Sequence, residues 1–272
     1  MRRMCGGWMT MLAVGAVLAG LAGCKPSDAV KQAQVIGNGT KDAAPPAVAP
    51  IVPLDQATEG MVSGTVHFAG KAPERVKIDM SMDPVCSMMG GDNYSEQYVV
   101  ADGKLANVYV YIKSGPPAAM MAGGPTPAPV VMDQVGCKYV PHVVAVTRGG
   151  SVEFRNSDGT MHNIHTMPTA EGAHAVDISQ GAKGAPQVKQ FNQVETMIPV
   201  RCNNHPWMNA FINVSATPFF AVTDKDGHFG ISGLPAGTYT IVAVHEKMGE
   251  QVMTVTVDAH KTVKADFSFS SK

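Results

Sequence analysis

The sequence predicts an all-β protein of sandwich type, and three observations carry that expectation. Short runs rich in β-branched and aromatic residues recur along the chain. Gly, Pro, Asn and Asp punctuate them at turn-like intervals. No long stretch repeats its apolar residues with the period of an amphipathic helix.

The strand segments follow in order. "GMVSGTVHFAG" and "LANVYVYIKSG" come first, each closed by glycine. "HVVAVTRGGSVEFRN" reads as two strands around the Gly149-Gly150 turn. In its first half Val143, Ala145 and Thr147 alternate with Val144, Val146 and Arg148, the two-residue period of a pleated strand. "TMIPVRC" and "AFINVSA" flank a short loop, and "FFAVTDKDGHFGI" turns at Asp226-Gly227. "GTYTIVAVHE" and "EQVMTVTVD" close the series, with Val252, Thr254 and Thr256 alternating against Met253, Val255 and Val257.

The chain has 272 residues with a formal net charge of −1, so no basic excess points to nucleic acid. Its 45% hydrophobic content suffices to build cores. The first residues read as a leader: Arg2 and Arg3, an apolar stretch too short and glycine-rich to span a membrane, then Leu21-Ala22-Gly23-Cys24. That ending resembles the bacterial lipobox. It implies a signal peptide over 1–23, a lipid on Cys24 and a bacterial envelope location. Lys25 after the cysteine resembles the outer-membrane class facing the periplasm. Residues 24–58 are an Ala- and Pro-rich tether with no sustained period, a composition that buries too little apolar surface to order itself.

Five cysteines then narrow the reading. Cys5 leaves with the leader and Cys24 takes the lipid. Cys86, Cys137 and Cys202 remain in an oxidising compartment, where two can pair and one stays free. Cys202 is the natural free one, because "CNNHPWM" places His205 and Met208 beside it at three-residue spacing. A Cys86–Cys137 disulfide is the resulting expectation.

The loop offers a thiolate, an imidazole and a thioether, three of the four ligands of a type 1 copper centre. The second imidazole must come from elsewhere. Upstream, Asn156-Ser157-Asp158 follows a strand and leads into His162-Asn163. This stretch resembles the cupredoxin pattern, in which such a turn precedes the first histidine ligand. The loop Cys-x2-His-Pro-aromatic-Met most resembles that of amicyanin. The resemblance implies a Greek-key cupredoxin over 128–216 and one type 1 copper held by His162, Cys202, His205 and Met208. His165 and His142 are further candidate ligands. His205, at the loop tip, is expected to offer its ring edge to solvent. Pro206 and Trp207 would form an apolar docking patch beside it.

"FFAVTDKDGHFGISGLPAGTYTIVAVHEKMGEQVMTVTV" resembles the later part of a carboxypeptidase-regulatory-like, transthyretin-like sandwich. Its earlier strands are sought in 59–127 and its remainder in 217–272, so the cupredoxin is inserted in this sandwich or adjacent to it. Asp224 and Asp226 start like a calcium loop, but the twelfth position is Pro235, so calcium is not expected.

These resemblances imply an electron carrier, anchored to the membrane by lipid, that serves a redox donor and acceptor and is not an enzyme. Two alternatives stand beside it. One is a copper-delivery lipoprotein, motivated by 18 methionines, several clustered in "DMSMDPVCSMMGG" and "AAMMAGG". The other is a non-redox binding module with a degenerate cupredoxin site.

Overall fold

A computed structural model describes residues 59–89, 93–123 and 128–271 of the chain. The leader, Cys24 and the tether lie outside the described residues. The first elements are β1 (Gly60–Phe68), α1 (Pro84–Met88), β2 (Val100–Ala101), β3 (Lys104–Leu105), β4 (Tyr109–Ser114) and α2 (Pro117–Met120). The middle holds β5 (Val130–Gln134), β6 (Tyr139–Val140), β7 (Val143–Thr147), β8 (Ser151–Asn156), β9 (His162–Thr166), β10 (Asp177–Gln180), β11 (Gln187–Gln190), β12 (Glu195–Arg201) and β13 (Asn209–Ser215). The last are β14 (Phe220–Val222), β15 (His228–Leu234), β16 (Gly237–His245), β17 (Gly249–Val257), β18 (Thr262–Lys264) and β19 (Phe267–Phe269).

The described residues are thus nearly all β, and their strands fall into four sheets. One is ordered β15-β1-β3-β2, with β18 and β19 also pairing β1; a second is β14-β4-β16-β17. Their core draws on Val62, Val66, Val110, Ile112, Tyr239, Ile241 and Phe269, so it joins strands from both ends of the described chain. The other two sheets, β10-β9-β12-β13-β7 and β11-β8-β5-β6, enclose Met132, Phe154, Ile164, Val200 and Ile212. Each core excludes water by the same means: period-two strands turn β-branched and aromatic side chains inward.

Close backbone approach explains one glycine in the first sandwich. A Cβ on Gly64 of β1 would lie 1.8 Å from the carbonyl oxygen of Ala265, so only glycine permits this crossing. The Asp226-Gly227 turn is held by Asp224, whose Oδ1 accepts the N–H groups of Asp226 and His228 at 2.9 Å each. The Asp224 carboxylate thus serves a turn, while that of Asp226 faces Lys225 at 2.6 Å.

The two short helices and several strands escaped the sequence reading. β10 (DISQ) and β11 (QVKQ) lie at sheet edges and carry too few apolar residues to show a period. β9 (HNIHT) buries a histidine and an asparagine where a core strand ordinarily buries valine, so its polarity masked it.

Candidate metal centre

Two loops meet at one end of the second sandwich. The first leaves β8 at Asn156, turns, and enters β9 at His162. Asn156 closes this turn: its Nδ2 donates to the carbonyls of Thr160 and Gly181 at 2.9 Å and of Gln180 at 3.1 Å. The second joins β12 to β13 and carries Cys202, His205 and Met208. It is tightened by bonds from Met208 N to His205 O (2.9 Å) and from Cys202 N to Met208 O (3.3 Å).

Asn163 ties the loops together. Its backbone N–H donates to Cys202 Sγ at 3.3 Å, and its Oδ1 accepts from Asn203 N at 3.3 Å. Its Nδ2 in turn donates to Asp177 Oδ1 and to Ile178 O. The hydroxyl of buried Tyr139 donates to the carbonyl of Asn163 from below.

The result is a buried cluster. His162, Cys202, His205 and Met208 all have 4% of their surface exposed or less. The ligand atoms of His162, Cys202 and His205 lie within 4.8 Å of one another. His162 Nδ1 is 3.0 Å from His205 Nδ1, which is 3.4 Å from Cys202 Sγ.

The outer nitrogens decide what the inner ones can do. His162 Nε2 faces Asp158 Oδ2 at 2.9 Å, and His205 Nε2 faces Asp83 Oδ2 at 3.1 Å. Both carboxyls are ionised at neutral pH. At Asp83 the Cys86 backbone N–H outweighs partial burial and, with His205 and Thr160, lowers the pKa to about 2. At Asp158 burial pushes upward, but His162 and the N–H groups of Cys137 and Gly136 more than offset it. Ionised carboxylates only accept, so each Nε2 must donate. Both Nδ1 lone pairs then face each other at 3.0 Å with the sulfur alongside.

Three electron-pair donors converging in a buried space need a shared cation. Without metal that cation is a proton. Burial opposes it, but hydrogen bonds to Asp158 and Cys202 raise His162 to about 9. Burial likewise opposes the Cys202 thiolate, but His162, the N–H groups of Asn163 and Asn204, and His205 lower it to about 6. Both shifts favour a thiolate on Cys202 paired with an imidazolium on His162.

A metal ion fits the same space. Donors about 2.0–2.3 Å from one ion stand roughly 3–3.5 Å apart, as these do. One thiolate and two imidazoles, with Met208 buried in the same core, form a donor set that suits copper. Two other groupings, Asp83–Cys86–His205 and Cys137–Asp158–His162, each include a cysteine already bonded in the Cys86–Cys137 disulfide. Among the described residues Cys202 is the free cysteine.

The structure does not bring the two additional histidines to this point. His165 is on the outer face of β9, its Nδ1 3.1 Å from Asn203 Oδ1. His142 is buried between Glu246 (2.7 Å) and Glu96 (3.9 Å).

The expected open edge of His205 requires correction. His205 is 3% exposed, because the segment around α1 covers its Nε2 with Asp83. Trp207 is half-buried and anchored, its indole N–H donating to Cys137 O at 3.0 Å, so it offers no free docking patch. The open side of the loop is instead a cleft of about 500 Å³ lined in part by Cys202, Asn203, Pro206, Glu246 and Lys247.

Sequence reasoning missed Asp83 altogether. Asp83-Pro84 carries the signature of a helix start, an N-cap followed by proline, but that signal is local and says nothing of His205, 122 residues away. Asp158 stood within the quoted turn, unassigned.

Comparison with known proteins gives a partial match. The carboxypeptidase regulatory-like domain matches residues 200–270. That span covers β14 to β19 but also the Cys202–Met208 loop and β13, which pack in the other core. No curated protein matches. Among solved structures, a copper-containing nitrite reductase from Thermus scotoductus SA-01 aligns at 24% identity and TM-score 0.30, over 34% of this chain and 24% of its own. The chain thus spans about a quarter of that reductase's length. A Cu(I) form of an amicyanin mutant aligns at 22% identity and TM-score 0.29, over 39% of this chain and 98% of its own. A second reduced amicyanin mutant aligns at 23% identity and the same TM-score and coverage.

Proposed function

We propose that the chain is a type 1 copper protein that passes single electrons between redox partners and is not a catalyst. One observation carries the reading: two imidazole Nδ1 atoms and a thiolate converge within bonding range of one ion, with Met208 buried beside them. Copper, when bound, would supply a one-electron Cu(I)/Cu(II) couple.

His162, Cys202 and His205 would hold the ion, with Met208 as the weak axial thioether. Asp158 and Asp83 take the Nε2 protons and so leave both Nδ1 atoms aimed inward, where the ion would displace the proton that His162 carries without it. The N–H of Asn163 stabilises charge on Cys202 Sγ. Burial and hydrogen bonding hold these side chains in place, which limits rearrangement when the charge changes. The cleft beside Cys202 and Pro206 is the side a partner can reach. In this reading Cys24, outside the described residues, carries lipid and tethers the protein to the envelope. Cys24→Ser should abolish lipid labelling and membrane fractionation.

The decisive experiment is a visible spectrum of the Cu(II)-loaded protein. An intense thiolate-to-copper band is expected. Its absence would remove the electron-transfer reading. A copper-delivery role is favoured by one specific observation: Met82 and Met88 are 73% and 77% exposed on the segment that covers the centre. Thioethers are soft donors for Cu(I). Rapid loss of Cu(I) to a competing chelator would support that second reading, and slow loss the first.

A further inference from the structure

We infer that Asp83 is a positioning residue for the ligand His205, held in place through the Cys86–Cys137 disulfide. The inference rests on the copper reading above and deepens it. Asp158 braces His162 from within the second sandwich. The matching brace on His205 comes from the connection between β1 and β2, strands of the other sandwich.

Every acceptor position of Asp83 that the structure shows is used. Its Oδ1 accepts the N–H groups of Val85 (2.8 Å) and Cys86 (3.0 Å) as the N-cap of α1. Its Oδ2 accepts from Thr160 Oγ1 and from His205 Nε2, both at 3.1 Å. Thr160 lies in the turn that leads to His162, so Asp83 touches both ligand loops.

The disulfide completes the arrangement. The N–H of Cys86 donates to Asp83, and the N–H of Cys137 donates to Asp158 Oδ2 at 2.8 Å. Each half of the bridge therefore holds one of the two carboxylates that orient the two histidines. The chain runs His205, Asp83, Cys86, Cys137, Asp158, His162 without a break. A free surface carboxylate would exchange His205 for water. This one is confined by helix cap and covalent bond, so its acceptor stays where His205 must donate. His205 then keeps its proton on Nε2 and its lone pair on Nδ1, with the ring edge closed to a docking partner.

Asp83→Asn in the full chain tests this. An asparagine keeps the cap oxygen but turns an amide N–H toward a ring N–H. Asp83→Ser is the second variant, keeping a cap oxygen too short to reach His205. Thiol titration checks that Cys86–Cys137 stays oxidised. In the metal-free protein, ¹⁵N NMR should show His205 protonated at Nε2 in the wild type and a tautomer mixture in both variants. Loaded variants should keep the visible band, bind Cu(II) at least about tenfold more weakly, and show a higher reduction potential. Variants that match the wild type in tautomer, affinity and potential would overturn the assignment, even if they melt earlier, since Asp83 would then be only a helix cap. A wild type without the visible band would sink the copper reading, while the metal-free NMR comparison would still decide whether Asp83 orients His205.

Discussion

The two sandwiches of this chain are built alike and equipped differently. Both bury β-branched and aromatic side chains between twisted sheets. The first closes its interior with apolar residues such as Phe68, Leu105, Ile241 and Phe269. The second gives up one end of its interior to His162, Cys202 and His205, and surrounds them with Asp158, Asn163 and Asn156. The fold thus supplies a rigid frame, and the site is an exception cut into it. The division is not complete, because the first sandwich lends Asp83 to the second.

The sharpest way to test this contrast is at the sulfur. Cys202→Ser should abolish the intense absorption of the Cu(II)-loaded protein, because no thiolate remains to donate charge. Circular dichroism should stay that of a folded β protein. Retention of the band would place the chromophore elsewhere.

Core truncation should separate frame from site. Phe154 and Phe269 are each fully buried, one in each sandwich. Changing either to alanine should cost about 3–5 kcal/mol of stability. Chemical denaturation reads that loss. Phe154→Ala should also weaken copper binding, whereas Phe269→Ala should leave it unchanged. Equal weakening by both would erase the division between sandwiches.

Acid should act on the first sandwich through His245. Burial first, with His142 and Lys247 adding, lowers this imidazole to about 4 despite Glu246. The unfolded chain takes up the proton near pH 6.5 and the folded chain only near 4. The stability tied to this group is thus complete above pH 6.5 and lost as pH falls toward 4, on the order of 3 kcal/mol in all. His245→Gln should flatten that part of the pH profile in urea melts between pH 7 and 4.5. An unchanged slope would acquit His245.

The smallest effect is expected at Tyr139. Its hydroxyl supports the carbonyl of Asn163, the residue that joins both ligand loops. Tyr139→Phe removes that donor and should cost about 1–2 kcal/mol. The copper spectrum should shift slightly, with binding retained. No change in either would show that Asn163 is held by its side chain alone.

Much of this was legible in residues close together in the chain. Period-two alternation announced β17, where Val255 and Val257 are buried and Thr254 and Thr256 exposed, because a strand with one buried face writes that face into its sequence. The three-residue spacing of Cys202, His205 and Met208 announced a loop whose side chains stay close together, and all three are buried. Polar strands such as β10 and β9 were hidden, because the alternation signal depends on apolar residues that they replace with glutamine, asparagine and histidine.

The all-β class and the residue types at the centre follow from the order of residues in the chain. Which faces of those residues are open is set by the folded structure. It buried His205, which its loop position made look exposed, and it set His142 and His165 apart from the cluster. The reason is physical. Alternation and ligand spacing are local and repeat within a few residues. The contact of Asp83 with His205 spans 122 residues and exists only because two sheets, a helix cap and a disulfide bring the segments together.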